Sequence, residues 1–469
     1  MDRDMAVSLV KKLTSYTKYY GVVNIVGASQ GVTRFARSEI SQNVNQYDIS
    51  ISLTLHDGSK EATCTTNVLD NEGLKKLAED TENLLAAAPH SSFSMVPWQR
   101  PSMRTAENDD DLAVLYNARG RVEAIKEGVS MLNDNYSAAG ALTLERKIAA
   151  YGNSESQDDE ILFSSLDNVQ FNTVVSCDAA GRSGDAGRSD AAGRSGTAGK
   201  PSTSGTSGAD GSGECISHKF GGLNIMEQFS KAKRRADLGT NPITIDGGKY
   251  TVILTPQAMG DLVFYITWSL NAKRVAEGLS FCNGNLPKAP AFAENISIYD
   301  DVNDPRVFPL YFDYEGHKRR SLPLIEKGNV KNLLFDNKTS QLMGARQTGH
   351  AVSNKGIGGF SLHTVMLGGD STIDDMIKNT ERGLFVSELH YTNFVNPRAL
   401  QVTGLTRNGT FLIENGKITL AVNTMRFTQN LLEAFNNISA LSKELTIING
   451  GGWAHVMPAA KIEGMTFND

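Results

Sequence analysis

Apolar and polar positions alternate along this chain with two different periods. Within Met5–Tyr20, apolar residues fall at Ala6, Leu9, Val10 and Leu13, a spacing that predicts an amphipathic helix. Ile49-Ser-Ile-Ser-Leu-Thr-Leu55 alternates strictly and predicts a strand with one buried face, followed by a turn at His56-Asp57-Gly58-Ser59. Gly73–Ala88 and Leu112–Leu132 return to the helical period, and Val169–Val175 and Ile216–Phe220 read as strands. Lys249–Leu254 is a further strand. Thr255-Pro256 then supplies an N-cap and a proline at the first helical position, predicting a helix to about Glu277 with Met259, Leu262, Val263, Ile266 and Leu270 on its apolar face. Beyond Asn283, short strands and turns dominate, and Asn408-Gly409 and Asn415-Gly416 bracket Thr410–Glu414 as a hairpin signal. The expected fold is α+β, with an N-terminal α/β layer domain over residues 1–235 and a β-rich C-terminal domain over 241–469.

One tract breaks the pattern. From Asp178 to Gly213 the sequence is built of small and charged residues, and a six-residue unit recurs at Ala179–Gly184, Asp185–Asp190 and Ala191–Gly196. Such a stretch buries too little apolar surface to offset a backbone entropy of ~1–2 kcal/mol per residue, so it is expected to be a disordered insertion at a hairpin tip. Cys177 and Cys215 bracket it and are expected to face each other across the ladder as reduced thiols.

Composition narrows the function. Against 52 Asp plus Glu, the 46 Lys plus Arg leave 469 residues with a net charge of −6, which argues against general binding to nucleic acid or an anionic membrane. The longest apolar run, Leu262–Leu270, is interrupted by Thr267 and Ser269 and falls short of the ~20 residues of a membrane span. Acids at Asp2 and Asp4 do not suit a signal peptide, and four cysteines are too few for a disulfide scaffold, so a cytoplasmic protein is expected.

Local catalytic motifs are absent. The histidines, at 56, 90, 218, 317, 350, 363, 390 and 455, include no pair four or five residues apart, and there is no Cys-x-x-Cys, phosphate-binding glycine loop or Gly-x-Ser-x-Gly. Weaker constellations remain. Asp313–Arg320 reads either as an anion-binding or acid/base cluster or, more simply, as a solvated turn. Arg346-Gln-Thr-Gly-His350, Leu389–Asn393 and Thr406–Gly409 combine His or Arg with turn residues. Lys231-Ala-Lys-Arg-Arg235 reads as a solvated helix end.

Taken in order, several segments resemble one family. Thr33–Asn43 is similar to its N-terminal signature. Ala276–Ser280 and Phe312–Gly316 resemble its middle, and Gly383–Val386, Thr403–Gly416 and Met425–Phe427 its C-terminal half. The family is TldD/PmbA, whose PmbA branch is also called TldE. The resemblance implies a two-domain subunit, dimers enclosing a cavity, and, in TldD members, a zinc site built from His-Glu-x-x-x-His on a helix plus a C-terminal Cys. In such a site three ligands leave a position for water. This chain departs from that pattern. Phe264-Tyr-Ile-Thr-Trp-Ser269 falls on the motif positions, and no Cys follows Cys282.

The resemblance therefore implies a TldE-like non-catalytic subunit with no metal of its own. It would pair with a zinc-bearing TldD-type chain or with itself, and act on extended, unfolded peptides or leader sequences. Arg346, His350, His390 and Arg407 are the candidate substrate contacts. The alternative is a metal-independent enzyme acting on a small molecule, with His350 or His390 as base and Arg346 or Arg407 holding an anion. A scaffold without turnover is the third reading.

Overall fold

The computed structural model describes residues 1–90, 117–177, 209–218, 223–353 and 356–468. The chain is α+β, built on two sheets. The first is antiparallel, in the order β3-β2-β1-β4-β5-β6, from β1 (Tyr20–Ala36), β2 (Glu39–His56), β3 (Glu61–Thr66), β4 (Tyr136–Asn153), β5 (Leu162–Cys177) and β6 (Ala209–Ser217). Alternation along β1 and β2 turns Val23, Ile25, Ile51, Leu53 and Leu55 to one face. There α1 (Arg3–Ser15) and α2 (Asn71–Ala87) bury Leu9, Leu13, Leu74 and Leu77 against them. Further along the sheet, α3 (Ala118–Val129) and α4 (Ile225–Leu238) close over Phe35, Leu142 and Phe171 with Ile125 and Phe229.

Several expected boundaries shift. The first helix stops at Ser15, because Tyr20 already belongs to β1. Of the helix expected over 112–132, residues 112–116 lie outside the described residues and the remainder is α3. The insertion is shorter than its composition indicates. Residues 178–208 lie outside the described residues, but 209–213 are paired in β6. The glycines of that segment have a packing role. A Cβ on Gly211 would stand 2.1 Å from the Ala232 carbonyl oxygen, and one on Gly213 2.2 Å from that of Gln228, so only glycine lets α4 lie this close to the strand. Cys177 and Cys215 do not face each other: Cys177 opposes Ala209 and Cys215 opposes Phe171. Six residues of offset along a strand is about 20 Å, far beyond disulfide reach.

The second sheet runs β10-β9-β8-β11-β17-β15-β13-β12-β7, with β14 on β13 and β16 on β17. Its strands are β7 (Gly248–Leu254), β8 (Ile298–Asp300), β9 (Leu322–Glu326), β10 (Asn329–Val330), β11 (Thr364–Met366), β12 (Arg382–Asn396), β13 (Gln401–Glu414), β14 (Lys417–Ala421), β15 (Arg426–Asn430), β16 (Ile438–Asn449) and β17 (Ala454–Asn468). Because β17 pairs with both β15 and β7, the strands β17-β15-β13-β12-β7 close on themselves. Of the two Asn-Gly pairs that bracket Thr410–Glu414, only Asn415-Gly416 makes a hairpin turn, between β13 and β14. Asn408 and Gly409 instead form a bulge inside β13, at φ of 51° and 122°, where the register to β12 shifts.

The helix after Thr255 is α5 (Pro256–Ser269), which ends earlier than expected. Asn271 interrupts it. Its side chain accepts from Lys273 N at 2.9 Å to start α6 (Ala272–Ala276), and its amide donates to the carbonyls of Ile357 and Gly359. Met259, Leu262, Val263 and Ile266 of α5 are fully buried in the largest core, with Val252 and Leu254 of β7 and Met457 and Ile462 of β17. Among the described residues, no helix is long and apolar enough to cross a membrane.

Candidate functional site

At the edge of that core α5 meets β12. Thr255 anchors the helix start: its hydroxyl accepts from Ala258 N and donates to the Ser387 carbonyl at 2.6 Å, tying α5 to β12. Bulky rings fill the next two turns. Tyr265 meets Phe394 at 4.8 Å between ring centroids, Trp268 meets Phe394 at 5.4 Å, and Phe264 meets Trp268 at 5.6 Å. The Arg274 guanidinium caps Trp268 at 4.5 Å, and the Tyr265 hydroxyl donates to the Thr392 carbonyl. Phe264 remains 42% exposed, so the cluster opens to solvent on one side.

Toward the start of α5 the surroundings are ionic. Glu388 on β12 accepts from the Ser212 hydroxyl of β6 and from the Asn408 side-chain amide at 2.8 Å, so the β13 bulge and the first sheet converge on one carboxylate. Arg235 of α4 donates to the Ser212 carbonyl at 2.9 Å. Burial, with Glu388 adding like charge, pushes the Asp261 carboxyl up to about 7 and that of Glu214 up to about 8. Burial also brings the Lys231 ammonium down to about 8, with Arg235 adding to the effect. Burial is the largest cause of all three shifts.

His390 and Arg407 stand on the adjacent strands β12 and β13. Arg407 Nη1 donates to His390 Nε2 at 2.7 Å, so that nitrogen carries no proton, and burial followed by the Arg407 charge lowers the imidazole to about 4. Two of the four candidate contacts thus meet. The other two lie elsewhere. Arg346 is exposed on a separate loop. His350 is wholly buried: its Nδ1–H donates to the Thr348 carbonyl at 2.8 Å and its Nε2 lies 3.3 Å from Asp300. Burial alone would raise Asp300, but His350 and His363 hold its carboxyl well below the usual range. Arg319 completes this cluster at 4.0 Å. His350 is buried beside Asp300 rather than a surface contact, because its loop folds inward.

Two charged segments also differ from the expected solvated surface. Asp313 and Arg319 are each 1% exposed, and Asp313 accepts from the backbone N–H of Glu315, His317 and Ala351. Lys231 and Arg235 turn from α4 toward Glu388, whose charge acts on both. Sequence reasoning missed Asp261, Glu214 and Glu388 altogether. They come from three distant segments, and nothing local marks them. Among the described residues, no group of three or more His, Cys, Asp or Glu converges as a metal site.

Comparison with known proteins gives a consistent result. Residues 247–469 match the family described as the PmbA/TldA metallopeptidase C-terminal domain. A zinc metalloprotease TldD homolog of Saccharolobus solfataricus is 25% identical over 50% of this chain and 53% of its own length. A metalloprotease TldD homolog of Buchnera aphidicola is 26% identical over 47% of this chain and 44% of its own. The chain spans about half the length of the curated relatives it matches. The crystal structure of TldE from Thermococcus kodakarensis superposes with a TM-score of 0.83 at 17% identity, covering 99% of this chain and all of that one, a likeness of fold. Residues 247–469 therefore belong to the PmbA/TldA metallopeptidase C-terminal domain family, and the TldD homologs match a similar share of the chain.

Proposed function

We propose that this chain is a TldE-like, non-catalytic subunit that holds extended peptides for a zinc-bearing TldD-type partner. The observation that carries the reading is the α5 face. Where the resemblance would set the two histidines of His-Glu-x-x-x-His, this helix carries Phe264, packed on Trp268, and Ser269, wholly buried with its hydroxyl donating to the Tyr265 carbonyl at 2.9 Å. A phenyl ring has no lone pair to give a metal and a buried serine hydroxyl is a poor ligand, so these residues do not fit a zinc ion. The partly exposed aromatic cluster beside polar strand residues suits a peptide better than a metal-bound water. Native mass spectrometry with elemental analysis, on protein purified from its own host, tests this. A heterodimer carrying one zinc per pair supports it. Stoichiometric zinc on the isolated chain, with amide hydrolysis to match, overturns it.

A second reading rests on Asp261, Glu214 and Lys231, whose pKa values of about 7, about 8 and about 8 suit acid/base chemistry without metal. Turnover by purified homodimer after exhaustive chelation would favour it.

A further inference from the structure

A cleft lies away from α5, on the face of the first sheet opposite its helices. Val26, Ala149 and Leu166 point there from β1, β4 and β5. Leu310, Tyr314 and Trp453 from the loops of the second sheet stand over them and leave a crevice of about 310 Å³. That volume is at the small end of ligand pockets, which run from roughly 300 to 1,000 Å³. The Trp453 wall is fixed from several sides. Lys147 lies 4.3 Å over the indole and donates to the Gly452 carbonyl, Asn449 donates to Gln170 at 2.9 Å, and His363 meets the indole edge-on at 5.7 Å.

Three features define the occupant. The walls are largely apolar and include an indole face, which favours a flat ring. The charges inside are already matched, since Lys147 pairs with Glu145 at 3.6 Å as well as with Gly452; Asp48 is exposed. A neutral group is therefore preferred over an ion. Among the lining side chains, Ser164 is 5% exposed, and its buried Oγ has no hydrogen-bond partner among the described residues. A buried hydroxyl without a partner is costly, and a ligand with a single polar end would relieve it.

We propose that this crevice is a subsite for an aromatic side chain with one hydrogen-bonding end, a phenol or indole, with the Ser164 hydroxyl as its polar contact. The inference deepens the peptide-holding reading and rests on it, because it makes the ring part of a bound peptide. A free phenolic compound shares the same chemistry, and the test separates the two.

Isothermal titration of the full chain with N-acetyltyrosinamide and N-acetylphenylalaninamide reads the subsite alone. Ser164→Ala should weaken the tyrosine amide roughly tenfold, the worth of one hydrogen bond, and leave the phenylalanine amide unchanged. Ala28→Leu, which fills the crevice from β1, should abolish both, with thermal melts confirming that each variant is folded. No binding by the wild type, or equal losses of the two amides in Ser164→Ala, overturns the proposal. An octapeptide with one tyrosine and its alanine counterpart supply the second arm. If both peptides bind alike, the subsite is wrong and the peptide-holding reading stands. If the amide binds and neither peptide does, a free phenolic compound is the occupant, the peptide subsite is overturned, and the peptide-holding reading is lost with it.

Discussion

Arg407 and His390 form a cross-strand pair in which the guanidinium donates to the imidazole, at 2.7 Å between Nη1 and Nε2. The geometry keeps the histidine neutral, because a protonated Nε2 would set two donors against each other. Arg407→Ala should raise the His390 pKa from about 4, but not to the ordinary histidine value, since burial is the larger cause of the shift. An NMR titration of the histidine ring protons checks this. An unchanged value would mean that Arg407 does not act on the ring.

The ionic surroundings of α5 make stability depend on pH. Glu214 holds its proton up to about 8 in the folded chain, whereas the unfolded chain releases it near the ordinary glutamate value. Above that ordinary value the folded state binds more protons, so the contribution present at low pH is lost progressively as pH rises to about 8. Glu214→Gln keeps an acceptor and removes the titration. Its Tm relative to wild type should therefore climb between pH 5 and pH 8. A flat difference would place Glu214 in water.

Asp300 anchors a fully buried set of His350, His363 and Arg319. Asp300→Asn removes the only carboxylate among them and leaves the buried Arg319 guanidinium uncompensated, a change that costs about 3–5 kcal/mol. Urea unfolding measures it. A loss below 1 kcal/mol would mean that Arg319 is satisfied by other groups.

Gly213 faces the α4 backbone so closely that any side chain must displace the helix. Gly213→Val should destabilise the chain by roughly 1–3 kcal/mol or more, as overpacking does. Because α4 carries Lys231, whose charge acts on Glu214, the same change should shift the Glu214 titration. Combined thermal melts and carboxylate NMR would show both effects together.

The alternation at Ile49–Leu55, the 3.6-residue spacing of Ala6, Leu9, Val10 and Leu13, and the Thr255-Pro256 start were all legible in the sequence, because each depends on neighbours a few residues away. The stop at Asn271 was not. That residue ends the helix through bonds to Ile357 and Gly359, more than eighty positions on. The Asn408-Gly409 bulge resembled a turn, since the same backbone angles serve both, and only pairing with β12 decides between them. Composition marked Asp178–Gly213 as unable to build a core. Yet Gly211 and Gly213, read as part of that weakness, are what allow a helix to pack on β6.

The site divides in the same way. His390 and Arg407 could be named from residue type alone, and the sequence determined that α5 carries rings at Phe264, Tyr265 and Trp268. Which charges meet was decided only by the fold. Glu214, Asp261 and Glu388 are far apart along the chain, and their carboxyls influence one another only because β6, α5 and β12 converge. His350 looked available for the same reason that the others looked unrelated: burial and electrostatic coupling act through space, and local sequence records neither.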